Sequence, residues 1–285
     1  MNNDQETAAL KERLSAFSAA LKSDNLMTIG PFFAANADFR VSEGIVRGWD
    51  GVAPTVAASL GVRAAADVVS IKWLSDGIAL VDSAAETSQG RGWCSEVWDK
   101  NDAQDYVIKV FRTRVGPVAP TLEGMNRLSP VTVSGDVSDS DQRDGEAALR
   151  TNFKAFRTAF NGGSKKGVLA LTSHDCDAIV AFSFLNGRAQ ILNGPGDLEV
   201  KASNMGASSG VGAATRPPGK ASFVAGEAKV IRFVSPNVAV VDGTAQITGI
   251  PPAHTFAPRE MSGVYTTLWR KNEGTWLCAG ARPWF

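Results

Sequence analysis

Glu96 is the titratable side chain whose setting leaves most room for chemistry. It lies in the run Trp93-Cys94-Ser95-Glu96-Val97-Trp98, which reads as a β-strand; alternate strand residues share a face, so Cys94, Glu96 and Trp98 point together. If that face is concave, Glu96 is an acid inside an apolar cone, where burial disfavours its charge and raises its pKa toward a value useful for proton transfer. If the face is convex, Glu96 is a solvated or interface residue, the commoner place for a strand glutamate. A second cluster, His174-Asp175-Cys176-Asp177, has the residue types of a metal site. Strand alternation sends its members to opposite faces, and a turn capping the start of a strand accounts for them. With two histidines far apart and three cysteines, Cys94, Cys176 and Cys278, without paired spacing, no metal and no cofactor is expected. His254 falls in the proline-flanked loop 251–258, as the lip of a pocket or as plain surface. The Gly-, Ala- and Ser-rich stretch 203–220 follows no clear strand and lacks a Lys-Ser/Thr pair, so it is a lid or a disordered insert and not a phosphate loop.

The chain that must position these residues has 285 of them, 44% hydrophobic and 20% charged, enough for two ordinary domains. Lys+Arg and Asp+Glu balance at 29 each, so no broad field attracts nucleic acid or an anionic membrane, and neither is expected as a partner. Residues 1–7 are polar and no apolar run is long enough to span a bilayer. A soluble cytoplasmic protein is the expectation, with which a removed signal peptide is compatible.

The sequence repeats itself. Leu10, Leu14, Phe17 and Leu21 have the spacing of one helix face, and Leu149, Phe153, Phe156 and Phe160 reproduce it. At the same offset Asn36, Asp38 and Val41 meet Asp175, Asp177 and Val180. Gly48 is matched to Gly194, which implies a longer first hairpin in the second copy. Further on, 71–85 matches 231–245 with six identities, among them Asp82 with Asp242, and Trp98, Lys100 and Asn101 match Trp269, Lys271 and Asn272. The offset grows only in glycine- or proline-bearing stretches, as insertions into loops of one scaffold should. The expected division is a first copy at 1–115, a polar linker at 116–144 and a second copy at 145–285.

Each copy reads as an amphipathic helix, a short second helix, a strand and three or four long strands, with hairpin turns at Asp76-Gly77 and Glu273-Gly274 and, in the second copy, at Asn186-Gly187. Helices followed by long antiparallel strands make an α+β domain, here two tandem cone-shaped domains with a curved antiparallel sheet packed on N-terminal helices. The ending Leu268 to Trp276 followed by Leu277 to Trp284, and the opening Ala19-Ala20-Leu21, Phe32-Phe33-Ala34 and Asn36-Ala37-Asp38, resemble the nuclear transport factor 2-like superfamily, also called SnoaL-like or ketosteroid-isomerase-like, with its cystatin-like fold.

That resemblance implies where chemistry would sit. The ketosteroid isomerase pattern places a tyrosine on the first helix, where this chain has Phe17 and Phe156, and a general base on the first strand, where it has Val41 and Val180. Its second acid falls two residues before the strand aromatic: Glu96 before Trp98, Thr267 before Trp269. Ketosteroid isomerase chemistry is therefore not expected in either copy. Phe17, Val41, Trp98, Phe156, Val180, Tyr265, Thr267 and Trp269 are the candidate pocket-lining residues, and Glu96 the candidate catalytic one. Three readings follow: binding of a small apolar molecule; an isomerase, cyclase or hydratase using Glu96; or an intrachain pseudo-dimer or homodimer with a structural or interaction role.

Overall fold

The computed structural model describes residues 3–23, 25–41, 44–64, 67–87, 90–114, 121–133, 137–162, 164–180, 183–186, 222–248 and 260–284. Two compact units meet at Gly124/Met125, inside the segment read as a linker. That segment is not featureless: it holds helix α4 (Leu122–Arg127) and strand β7 (Val131–Val133).

The first unit runs α1 (Asn3–Lys22), α2 (Leu26–Ile29), a 3-10 turn (Gly30–Phe32), β1 (Phe33–Val41), β2 (Gly44–Arg47), α3 (Gly48–Ala64), β3 (Asp67–Ser75), β4 (Ile78–Thr87), β5 (Gly90–Lys100) and β6 (Tyr106–Thr113). Its strands lie in the order β2-β1-β6-β5-β4-β3. The second unit runs α5 (Asp139–Asn161), α6 (Lys165–Ala170), β8 (Thr172–Val180), β9 (Ser183–Asn186), β10 (Ser222–Ser235), β11 (Val238–Thr248), β12 (Glu260–Asn272) and β13 (Thr275–Trp284). Its order is β7-β10-β11-β12-β13-β8-β9, with β7 added beside β10. Both units are α+β. Their sheets are mixed, because β1 lies parallel to β6 and β8 to β13, and β7 runs parallel to β10.

Helix α1 buries the predicted stripe Leu10, Leu14, Phe17 and Leu21. Helix α5 starts at Ser138, whose side chain accepts a hydrogen bond from the Asp141 N–H, with Asp139 and Asp141 in the first turn, where acidic groups suit the helix dipole. It can approach its sheet closely because residue 145 is glycine: a Cβ there would stand 2.7 Å from the Phe233 ring.

The two sheets share one register. Val81↔Glu96 and Asp82↔Ser95 in the first correspond to Val241↔Thr267 and Asp242↔Thr266 in the second. The irregularities coincide as well: Val97/Trp98 with Leu268/Trp269, Val68/Ser70 with Ala228/Val230, and Trp73/Ser75 with Phe233/Ser235. A bulge shifts every later residue to a new partner, so matched bulges mean that the copies descend through one backbone plan. Trp98 thus occupies the place of Trp269, and Asp82 that of Asp242.

One expected detail is corrected. Strand β9 pairs Asn186 with Asp177 and Ser183 with Val180, as β2 pairs Arg47 with Asp38 and Gly44 with Val41. The described pairs of the first hairpin therefore correspond one for one in the two copies, and Asn186 is a ladder residue and not a turn residue. Gly187 and Gly194 lie outside the described residues.

The parallel join of first and last strands is spanned in both units by a buried ion pair. Arg112 Nη1 donates to Asp38 Oδ1 at 2.5 Å and to the Phe111 carbonyl at 2.9 Å. Arg282 Nη1 donates to Asp177 Oδ1 at 2.6 Å and to the Ala281 carbonyl at 3.0 Å. All four side chains are almost fully withdrawn from solvent. A third polar tie fastens α1: Lys100 Nζ donates to Glu6 Oε1 at 2.7 Å, and the Tyr106 hydroxyl donates to Glu6 Oε2.

Two predictions follow from these ties. Asp38→Ala and Asp177→Ala each leave a buried guanidinium without its carboxylate and should cost about 3–5 kcal/mol in chemical denaturation. The hydrogen bonds from Lys100 and Tyr106 hold the Glu6 carboxyl below the ordinary glutamate value of 4.5. A depressed folded-state pKa contributes stability that is present above the unfolded value and lost as pH falls through the folded one. Denaturation midpoints should therefore fall more steeply with acid, below the ordinary glutamate range, in the native chain than in Glu6→Gln.

Candidate functional site

Strand β5 presents Cys94, Glu96 and Trp98 to the helix side of the first sheet. Cys94 and Trp98 belong to the core that includes Phe17 of α1, and the Trp98 and Phe17 rings meet edge to face at 5.5 Å. Glu96 stands between them with 0% exposure, flanked in register by Val81 and Phe111. Its Oε2 accepts a hydrogen bond from the Trp98 indole Nε1–H at 2.8 Å. A carboxylate removed from water needs such donors, and the indole is one that adds no charge.

This core is rich in aromatic contacts. Phe17 contacts Phe32 at 5.2 Å and Phe33 at 5.9 Å, Phe33 contacts Trp49 at 5.3 Å, and Phe39 stacks on Phe111 at 4.5 Å. Val41 on β1, Val46 on β2 and Trp49 on α3 pack against this core while only partly buried, so an apolar rim on these three elements reaches solvent.

The second unit keeps the plan and changes its contents. Trp269 Nε1–H donates at 2.9 Å to Thr267 Oγ1, the atom standing where Glu96 offers its carboxylate. Residue two before the strand tryptophan is thus the indole's acceptor in both copies, a role that sequence reading missed although the shared face implied it. Tyr265, at the position of Cys94, lies over Gly243, at the position of Ser83; a Cβ on Gly243 would stand 2.4 Å from the Tyr265 hydroxyl oxygen. Burial, with Asp242 and Glu227 nearby, pushes the Tyr265 hydroxyl well above the usual phenol pKa. Its ring stacks on Phe153 at 5.2 Å. Phe156, expected in the place of Phe17, is half-buried and stacks on Phe160 at 6.2 Å instead. The Tyr265 ring draws Phe153, one turn earlier, into contact with the core. The large-for-small exchange at 265 and small-for-large at 243 is visible once the copies are aligned.

Val180 closes the β8–β9 pair opposite Ser183. In the textual cluster, Cys176 faces the core, Asp177 pairs with Arg282, Asp175 pairs with Arg270 at 2.5 Å, and His174 is exposed. Among the described residues no group of three or more His, Cys, Asp or Glu side chains could hold a metal, and no helix is long and apolar enough to cross a membrane. His254 and 203–220 lie outside the described residues.

No protein-family model and no curated protein matches the sequence. Solved structures do, each over about half of the chain. A nuclear transport factor 2-like protein of unknown function from Shewanella oneidensis is 16% identical, covering 49% of this chain and 98% of its own, with a TM-score of 0.33. A Nostoc punctiforme domain of unknown function with a cystatin-like fold is 20% identical, covering 52% of this chain and 78% of its own, with a TM-score of 0.34. A hexachlorocyclohexane dehydrochlorinase from Novosphingobium barchaimii is 13% identical, covering 52% and 90%, with a TM-score of 0.36; that activity is its own.

The indole–acceptor pairs generate a prediction. Glu96→Leu and Thr267→Val each leave a buried indole N–H without its acceptor and should lower stability by about 1–3 kcal/mol. Glu96→Gln, which keeps an oxygen in place, should cost less, and near-ultraviolet circular dichroism of the tryptophans should report the difference.

Proposed function

We propose that the inner face of the first unit binds a small, largely apolar molecule, with Glu96 as its polar anchor and without ketosteroid isomerase chemistry. The observation that carries this reading is a fully buried carboxyl group, held by Trp98 on the face of a core rich in phenyl rings, against which the part-exposed Val41, Val46 and Trp49 also pack. Apolar walls with a few placed polar groups are the usual make-up of a small-molecule site. The residues at the isomerase tyrosine and base positions, Phe17 and Val41, have no proton to move. In the second unit Tyr265 stacked on Phe153 takes the corresponding place, and Thr267 carries no charge, which supports assigning the site to the first copy alone.

A second reading keeps the same residues and gives Glu96 a catalytic role, as the acid of an isomerase, cyclase or hydratase. It is favoured by the anchoring of one carboxylate oxygen, since an acid in a dry site acts only if its position is set.

The probe that tests the binding reading is 2-naphthol, an apolar fluorophore with one hydroxyl donor. It should bind the native chain saturably at one site, and Glu96→Gln should weaken it about tenfold or more, the cost of replacing the carboxyl group that accepts from the probe's hydroxyl. Thr267→Val should leave binding unchanged. Absence of saturable binding, or loss with Thr267→Val but not with Glu96→Gln, would end this assignment.

A further inference from the structure

The second unit holds two thiols that the sequence separates by about a hundred residues and the fold brings together. Cys176 on β8 and Cys278 on β13 both face the core beneath α5, and both are buried cysteines outside any disulfide. Their strands are direct neighbours, with Asp177 opposite Gly280. Cys176 Sγ points to the Asp177 carbonyl at 3.8 Å and Cys278 Sγ to the Gly280 carbonyl at 3.4 Å, so the two sulfurs converge on the main chain of one paired couple. The side chains are close enough to share a hydrogen bond. In the first unit the same two positions are Ala37 and Ile108, and its cysteine, Cys94, has no cysteine neighbour among those core positions.

We propose that Cys176 and Cys278 form a redox-active dithiol that closes to an intramolecular disulfide under a small peroxide oxidant, locking the last strand of the second unit to its first. The step balances with one peroxide for two thiols. One sulfur attacks a peroxide oxygen, breaking the O–O bond, and becomes a sulfenic acid with loss of one water. The second sulfur then displaces a second water to form the S–S bond, so both sulfurs are oxidised and the peroxide is reduced. The hydrogen bond with Cys176, together with burial, pushes the Cys278 thiol up well above the ordinary cysteine value, so closure is faster as pH rises. The bridge would span the same β8–β13 join as the Asp177–Arg282 pair, and a loop of that length gives a disulfide a large effect on the unfolded chain.

The experiment treats the full-length, reduced protein with hydrogen peroxide, then alkylates it under denaturing conditions. Closure should lower the intact mass by about 2 Da before alkylation and leave one alkylated cysteine, Cys94. A non-reducing peptide map should show the Cys176 and Cys278 peptides joined, and the thermal midpoint should rise by roughly 5 °C or more over the reduced protein. Cys278→Ala should abolish the mass loss and Cys94→Ala should leave it. The map of the native chain stands by itself should either variant fail to fold. Three alkylatable cysteines after oxidation, or a link through Cys94 or between chains, would overturn the proposal.

Discussion

Each unit closes by joining its first strand to its last, and that join rests on one buried carboxylate–guanidinium pair. A parallel contact between β1 and β6, or β8 and β13, unites segments about seventy to a hundred residues apart and must offset the loop entropy between them. Asp38 with Arg112, and Asp177 with Arg282, supply a directional tie at that place. Such a pair is not an inexpensive source of stability, because both charges leave water; what it adds is register, since a one-residue slip would strand two buried charges. The long strands β3 to β6 and β10 to β13 then follow by hairpin pairing, which needs little beyond alternation and a turn. At two of these turns Gly77 and Gly274 take φ of 72° and 81°, conformations that L-residues adopt with strain.

On this shared frame the copies diverge by exchange. Trp73 against Tyr106 in the first unit becomes Phe233 against Trp276 in the second, so the contact survives while its members change. Cys94 over Ser83 becomes Tyr265 over Gly243, where the missing side chain at 243 leaves room for the phenol. These swaps alter what the inner face offers: a carboxylate among phenyl rings in one unit, a hydroxyl beside a buried phenol and two thiols in the other. A packed core tolerates such changes when neighbouring side chains adjust together, which lets one unit keep a carboxyl group on its inner face while the other has a threonine hydroxyl there.

The main helices and long strands of each copy, the doubling of the unit and the α+β class were legible in the amino-acid sequence, because helix and strand periodicity and turn residues are local signals that the chain carries twice; α4 and β7, short and without such periodicity, were not. The sequence also placed Cys94, Glu96 and Trp98 on one face, since strand alternation needs no partner. Which way that face turns was decided by tertiary packing: Phe17 meets Trp98 only once α1 lies across the sheet. The parallel join, the Asp–Arg pairs, the Phe153–Tyr265 stack and the meeting of Cys176 with Cys278 also came from the tertiary structure. Each links residues that no local pattern relates. The turn expected at Asn186 failed for the same reason, because a turn-type residue in text is a weaker constraint than a ladder of paired backbone groups.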